Sequence, residues 1–401
     1  MRRLAGFAQL PDEVERLLVS GEATRVCVVL LDAFGWAFVE RHLAHGLLRR
    51  CMSDGALAPM AAQFPSTTTA HVTTMHSGLP VGEHGLYEWR VLEPSAGRTI
   101  IPLTSSWADE GAPDGLRAAG VPPERYVPPR SFYERLAAQG IESVAVEPAS
   151  FSPSTYDEVA LRGARVQAHE GLPDAAAKLA AALAAPGEAP RYVYAYADEI
   201  DAAGHEFGPS SPEFEHACRA SLDGLQSALL GPGAPRFAPG TVVLLTADHG
   251  QVDVHPRRSD MVDELWPQLA GMLRTGAGGR RLSAAGSARD LFLHVEPEHV
   301  ARVVEGLQER LGTRASVHAS ADLIRAGWFA PNGALGTPPG TGGERVGPRL
   351  LERLGEVCVL PADGRMAWWS ELGGGVHRFR GHHGGRTPAE ATTFLGILRL
   401  G

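Results

Sequence analysis

The chain has no cysteine pair at metal-ligand spacing. Cys27, Cys51, Cys218 and Cys358 stand singly, outside any CxxC. That excludes a cysteine metal site and suits a reducing compartment. It also has no apolar run long enough to span a bilayer, and no hydrophobic segment follows the two arginines of "MRRLAGFAQLPDEVERLL". The expectation is therefore a cytoplasmic protein without signal peptide or membrane helix. Positive charge is in deficit: the net charge is -9 and the pI near 6.0. A nucleic-acid-binding surface is not indicated, although a local basic pocket is still allowed. No internal repeat is present. What remains is ordinary globular usage, 44% hydrophobic and 21% charged over 401 residues. This length fits one large α/β domain with an insertion, or two domains. Nothing in the sequence sets an oligomeric state.

Three short apolar runs read as buried parallel strands: "RVCVVLLD" (25–32), "RYVYAYAD" (191–198) and "TVVLLTAD" (241–248). Their nearly continuous apolar character is that of strands covered on both faces. Helical patterns lie between them, in "DAAAKLAAALAAP" (174–186) and "PEFEHACRASLDGLQSALL" (212–230). Strands alternating with helices predict an α/β fold with a mostly parallel central sheet. Residues 287–358 read differently: a strand in "RDLFLHV", a helix in "EHVARVVEGLQERLG", a strand in "RASVHA", then the loop-like "FAPNGALGTPPGTGGERVGP". We take 287–358 as a small α+β insertion, cap-like, carried by a catalytic core of 1–286 and 359–401. Trp368 and Trp369 are expected to pack the insertion against the core.

All three core strands end in aspartate: Asp32, Asp198 and Asp248. Aspartate commonly starts the turn after a strand, so one alone means little. In open parallel sheets, however, ligands bind at the carboxyl ends of the strands, and histidines recur there. "DEIDAAGHEFGP" sets Asp201 and His205 four apart, on one face of a helical turn. "ADHG" sets His249 beside Asp248, and "FRGHHGGRTPAE" carries His382 and His383 between glycines. Oxygen and nitrogen donors without thiolate suit zinc, manganese or a similar ion. There are more of them than one tetrahedral ion needs, so two ions are expected. A serine or threonine bound to one ion would become a nucleophile. "FPSTTTAHVTTMHSG" (64–78) offers six such hydroxyls: Ser66, Thr67, Thr68, Thr69, Thr73 and Thr74.

The ordered set "VVLLDAFGW", "FPSTTTAHVTTMHSGLPVGEHGL", "DEIDAAGHEFGP", "TADHG" and "GHHGG" resembles the type I phosphodiesterase/nucleotide pyrophosphatase family of the alkaline phosphatase superfamily. The set spans Val28 to Gly385. The resemblance implies an alkaline-phosphatase-like α/β/α sandwich and a hydrolase acting on a small phosphoester. The family pattern FPxxTxxxxxxxxxGL matches without a gap at Phe64, Pro65, Thr68, Gly78 and Leu79, which implies Thr68 as nucleophile and metal ligand. Asp248 and His249 would share an ion with Asp32. Asp201, His205 and His383 would hold the other. Zinc is the expected metal, manganese the alternative. A hydrolase would then act through a phospho-threonine intermediate. Phosphonate hydrolysis, phosphomutase chemistry and a catalytically inactive metal-binding homologue are the alternatives.

Some positions depart from the family pattern. Nucleotide-cleaving members carry an asparagine shortly after "HG", where this chain has Glu88 and Trp89, so the residue that implies nucleotide specificity is not matched here. His71 likewise stands where such members have asparagine. Trp89 and His71 are therefore the candidate substrate contacts, although His71, His76 and His84 also read as packing residues. Substrate choice is expected from Trp89, from the region between about Arg90 and Pro190, and from the insertion. Ser66 is a candidate helix cap. The C/S-x-P-S-R context that formylglycine sulfatases need is absent.

Overall fold

Seven strands make the central sheet of the computed structural model, which describes residues 4–276, 279–331, 346–370 and 378–401. They are β1 (Arg25–Leu31), β2 (Ala56–Ala61), β3 (Glu142–Pro148), β4 (Arg165–His169), β5 (Arg191–Ala197), β6 (Thr241–Thr246) and β7 (Thr392–Leu400). Their order is β2-β7-β6-β1-β5-β3-β4. From β6 to β4 every pairing is parallel. Strand β7 runs against both of its neighbours, so the sheet is mixed but mostly parallel.

The apolar run of β1 shows why a central strand has this composition. Cys27, Val29 and Leu31 enter the core on one face, while Val26, Val28 and Leu30 enter the core on the other. Each such side chain contributes about 1.5–3 kcal/mol by leaving water. Helices α2 (Leu172–Ala184) and α4 (Pro212–Leu230) cover the first face. Helix α1 (Thr68–Ser77) contributes Val72 and Met75 to the second. The result is the α/β sandwich expected from the sequence. Among the described residues, no helix is long and apolar enough to cross a membrane.

A second sheet is antiparallel and four-stranded, in the order Ala285–Gly286, Leu291–Leu293, Val357–Pro361, Ala315–Ala319. The helix Val300–Leu311 packs on it through Val303, Leu307 and Leu311. Trp368 and Trp369 are buried in the same cluster. Of the loop-like stretch 329–348, residues 332–345 lie outside the described residues.

Parallel register places the functional edge. Leu31 pairs with Ala197, and Leu30 pairs with Thr246. Asp32, Asp198 and Asp248 therefore emerge together at the carboxyl edge, where short loops can aim them at one point.

Candidate active site

Asp32 leaves the end of β1, and Asp248 and His249 follow β6. All three are buried. The Nε2 atom of His249 lies 3.2 Å from Asp248 Oδ2 and 3.4 Å from Asp32 Oδ1. Asp248 Oδ1 accepts hydrogen bonds from the backbone N–H groups of Ala33 (3.1 Å) and His249 (2.9 Å). The Tyr196 hydroxyl donates to Asp32 Oδ2. Asp32 Oδ1 and Asp248 Oδ2 are left buried with no hydrogen-bond partner among the described residues. Two such carboxylates without a counter-charge are costly. Burial, then the charge of the neighbouring aspartates, pushes the Asp32 carboxyl well above its usual range. Burial also lifts Asp248 to about 7.

A second cluster sits alongside. Helix α3 (Glu199–Phe207) brings Asp201 and His205 onto one face, with His205 Nε2 at 3.3 Å from Asp201 Oδ2. His383 Nε2 lies 3.8 Å from Asp201 Oδ1. Burial works to raise the Asp201 carboxyl, but His205 and then His383 hold it below its usual range. Gly204 is required here because a Cβ would come within 1.9 Å of the Gln251 side-chain oxygen. The same Gln251 donates through Nε2 to the carbonyl and the carboxylate of Asp201.

In all three histidines Nδ1 faces a backbone carbonyl: Gly381 for His205 (2.9 Å), Gly250 for His249 (3.0 Å) and Ser66 for His383 (3.1 Å). A carbonyl only accepts, so Nδ1 carries a proton and Nε2 is the nitrogen turned toward the carboxylates. Each Nε2–carboxylate contact is satisfied by a proton or by a metal ion on Nε2. This tautomer is also the one that metal-ligating histidines adopt. Two groups, Asp32/Asp248/His249 and Asp201/His205/His383, each bring three ligand atoms within 4.8 Å of one another. The rings of His249 and His383 stack at 3.8 Å and join the groups. The donor set therefore fits divalent ions such as zinc or manganese.

Thr68 opens helix α1 beside the first group. Its Oγ1 lies 3.2 Å from His249 Nε2 and 3.4 Å from Asp32 Oδ2. The flanking hydroxyls turn elsewhere. Thr67 Oγ1 donates to the Tyr87 carbonyl (3.2 Å), and Thr69 Oγ1 is buried without a partner. Ser66 does not cap the helix: the N-cap position is Thr67. Ser66 Oγ instead donates to the Gly385 carbonyl (2.8 Å) and accepts from Gly384 N–H (3.3 Å), tying the stretch that carries Thr68 to the His383 loop. Gly384 has φ +115, and a Cβ there would come within 2.5 Å of Asp290.

Thr68, Asp201, His205 and His383 line a cleft of about 440 Å³, with Trp89 and Trp368 also on its walls. Glu88 is buried beside Trp89, and burial lifts its carboxyl to about 7. His71 is the correction. It is fully buried, it accepts from Gln63 N–H at Nε2 (2.8 Å), and its Nδ1 faces the Thr67 carbonyl (2.7 Å). With both ring nitrogens used and its ring against Phe7 (4.6 Å), it packs the start of α1 rather than facing the cleft. His84 packs similarly, against Thr74 and Ala70. His382 lines the cleft, with Nδ1 facing the His383 carbonyl (2.9 Å).

Tyr196 and Gln251 were not singled out by the sequence reading. Tyr196 sits in an apolar strand and looks like core. Its place two residues before Asp198 was the available signal. A third such feature is the buried pair Arg289–Glu390, bonded at 2.9 and 2.8 Å. Glu390 also accepts from Gly385 N–H (3.0 Å), so the pair anchors the loop carrying His383. Glu390→Ala is expected to destabilise the chain by about 3–5 kcal/mol, because it strands a buried guanidinium. Urea denaturation checks this, and a change under about 1 kcal/mol, the scale of an exposed pair, would refute it.

Two carboxylate–histidine groups around a helix-leading threonine, on the carboxyl edge of a mostly parallel sandwich, define an alkaline-phosphatase-like α/β protein. The chain belongs to the type I phosphodiesterase/nucleotide pyrophosphatase family, whose model matches residues 26–386. Its fold is similar to human ectonucleotide pyrophosphatase/phosphodiesterase 5, with TM-score 0.64 and 14% identity over 94% of this chain and 89% of that one. The murine counterpart, solved as an inactive variant in complex with AMP, gives TM-score 0.63 and 14% identity over 93% and 87%. At that identity the likeness shows the fold. An uncharacterized pyrophosphatase/phosphodiesterase of Schizosaccharomyces pombe is 22% identical over 249 residues, 60% of this chain and 47% of the relative. The chain therefore spans about half the length of that relative.

Proposed function

We propose that this protein is a metal-dependent hydrolase of small phosphodiesters that works through a phospho-threonine intermediate on Thr68. The observation that carries this reading is the Thr68 hydroxyl, within 3.4 Å of both Asp32 and His249, beside two buried carboxylate oxygens that lack partners. Asp32, Asp248, His249 and Thr68 would hold one ion, and Asp201, His205 and His383 the other, with zinc favoured over manganese. Bound there, the ions lower the pKa of a hydroxyl and offset charge on a phosphoryl group.

The protein's own groups supply the rest. Thr68 projects from the N-terminus of α1, whose free backbone N–H groups favour an anionic phosphoryl oxygen. Its Oγ bonds to phosphorus as the bond to the leaving alcohol breaks. Water then cleaves the phospho-threonine and restores the hydroxyl. Trp89 contacts the organic part of the substrate. The segment 287–358 serves as a cap-like insertion on the core. The four cysteines, all free, suit the cytoplasmic location that forms part of this reading.

Acid quenching during turnover of a chromogenic phosphodiester is expected to trap the phosphoryl group, still esterified to the retained alcohol, on the peptide containing Thr68, read by mass spectrometry. Steady turnover with phosphate trapped on a different residue would refute the assignment.

A further inference from the structure

The cleft extends well past the two clusters, along one face of α1. Thr68, Thr69, Val72 and His76 line it in succession. Eight residues of helix carry it roughly 12 Å from the nucleophile. Its far end is lined by Glu147, Phe151, Ser152, Tyr156 and Asp157. We propose that this end binds an ammonium group on the organic part of the substrate, so that the enzyme selects phosphodiesters carrying a positive charge roughly 10 Å from phosphorus.

Glu147 closes β3 and is 7% exposed, and its Oε1 has no hydrogen-bond partner among the described residues. Ser152 is buried in the same wall, and its hydroxyl works to lower the Asp157 carboxyl. The nearest base is His76, whose Nε2 lies 3.9 Å from Glu147 Oε1. Its Nδ1 faces the Tyr133 hydroxyl (2.9 Å), and burial pushes its pKa down to about 3, so it brings no charge. The Arg90 guanidinium, also on the cleft, is stacked over Trp368 at 4.9 Å. Asp157 accepts from Ser154 N–H (2.8 Å). Burial, then the charge of Asp157, pushes Glu147 well above its usual range. Among the described residues no cation lies in this wall, so burial disfavours the charged form of Glu147, and an ammonium supplies both a counter-charge and the missing donors. Phe151, 51% exposed, and the buried Tyr156 also line this end. A neutral or anionic group would leave Glu147 unpaired, which is how such a wall discriminates.

This inference rests on the phosphodiesterase reading, and its test separates the two. The para-nitrophenyl diesters of ω-aminohexyl phosphate and hexyl phosphate differ only in the terminal ammonium. The expected kcat/KM ratio favours the amino ester by roughly tenfold, as for a desolvated cation contact. Glu147→Gln and Asp157→Asn each bring that ratio toward one, and misfolding cancels because both esters see the same sample. A ratio near one in the natural chain, or one that survives both substitutions, would overturn the proposal. Calorimetric binding of ω-aminohexyl and hexyl phosphate to the zinc-loaded protein provides the independent arm. Tighter binding of the amino compound without turnover of either ester would keep the subsite and retire the hydrolase reading. Equal binding would retire the subsite.

Discussion

Thr68→Ala is expected to reduce turnover of a chromogenic phosphodiester by roughly four orders of magnitude or more, the scale of losing a nucleophile that acts with its neighbours as a unit. That is about 5–6 kcal/mol of transition-state stabilisation. The fold should hardly change. Thr68 is half-buried, it does not cap its helix, and alanine is the better helix former. The contrast lies next door. Thr67→Ala loses the bond to the Tyr87 carbonyl, worth on the order of 1 kcal/mol of stability, and should keep most of its activity. Thr68→Ser, which retains a hydroxyl, should keep part of it. Steady-state kinetics with circular dichroism and metal analysis decide the matter. A Thr68→Ala protein with near-natural turnover would remove Thr68 from the mechanism.

Metal removal is expected to have the second large effect, on stability as well as activity. Asp32 and Asp248 are buried together, each with one oxygen unpaired among the described residues. Three histidine Nε2 atoms face carboxylates. An ion bound there only by the folded chain adds its binding free energy to folding. Dialysis against a chelator should abolish turnover and lower the melting temperature by several degrees; a ligand at one hundred times its Kd contributes about 2.7 kcal/mol. Zinc or manganese should restore both. Asp248→Asn should blunt the thermal response to metal, because it removes one charge from the group. Chelator-insensitive activity with an unchanged melting curve would refute the two-ion reading.

Much of the fold was legible because its signals are local. The three aspartate-ended runs became β1, β5 and β6, since strands covered on both faces must be apolar nearly throughout. The four-residue spacing of Asp201 and His205 worked because one helical turn brings such residues together. Ser66 was misread for an equally physical reason. A hydroxyl near a helix start satisfies the capping pattern, yet this one reaches a loop more than three hundred residues away. His71 could not be separated from a cleft residue until both of its ring nitrogens were seen to be occupied.

Composition and spacing alone established an α/β fold with a mostly parallel sheet, chemistry at one sheet edge and Asp/His donors in ordered motifs, because periodicity and turn chemistry act between near neighbours. Register and tautomer belong to the tertiary structure. Only the pairing of β1 with β5 and β6 draws the aspartates into two groups, and only the carbonyls of Gly381, Gly250 and Ser66 fix which nitrogen each histidine presents. The acidic far wall of the cleft was likewise invisible in the chain. Glu147 and Asp157 look like ordinary surface acids until folding buries one of them without a partner.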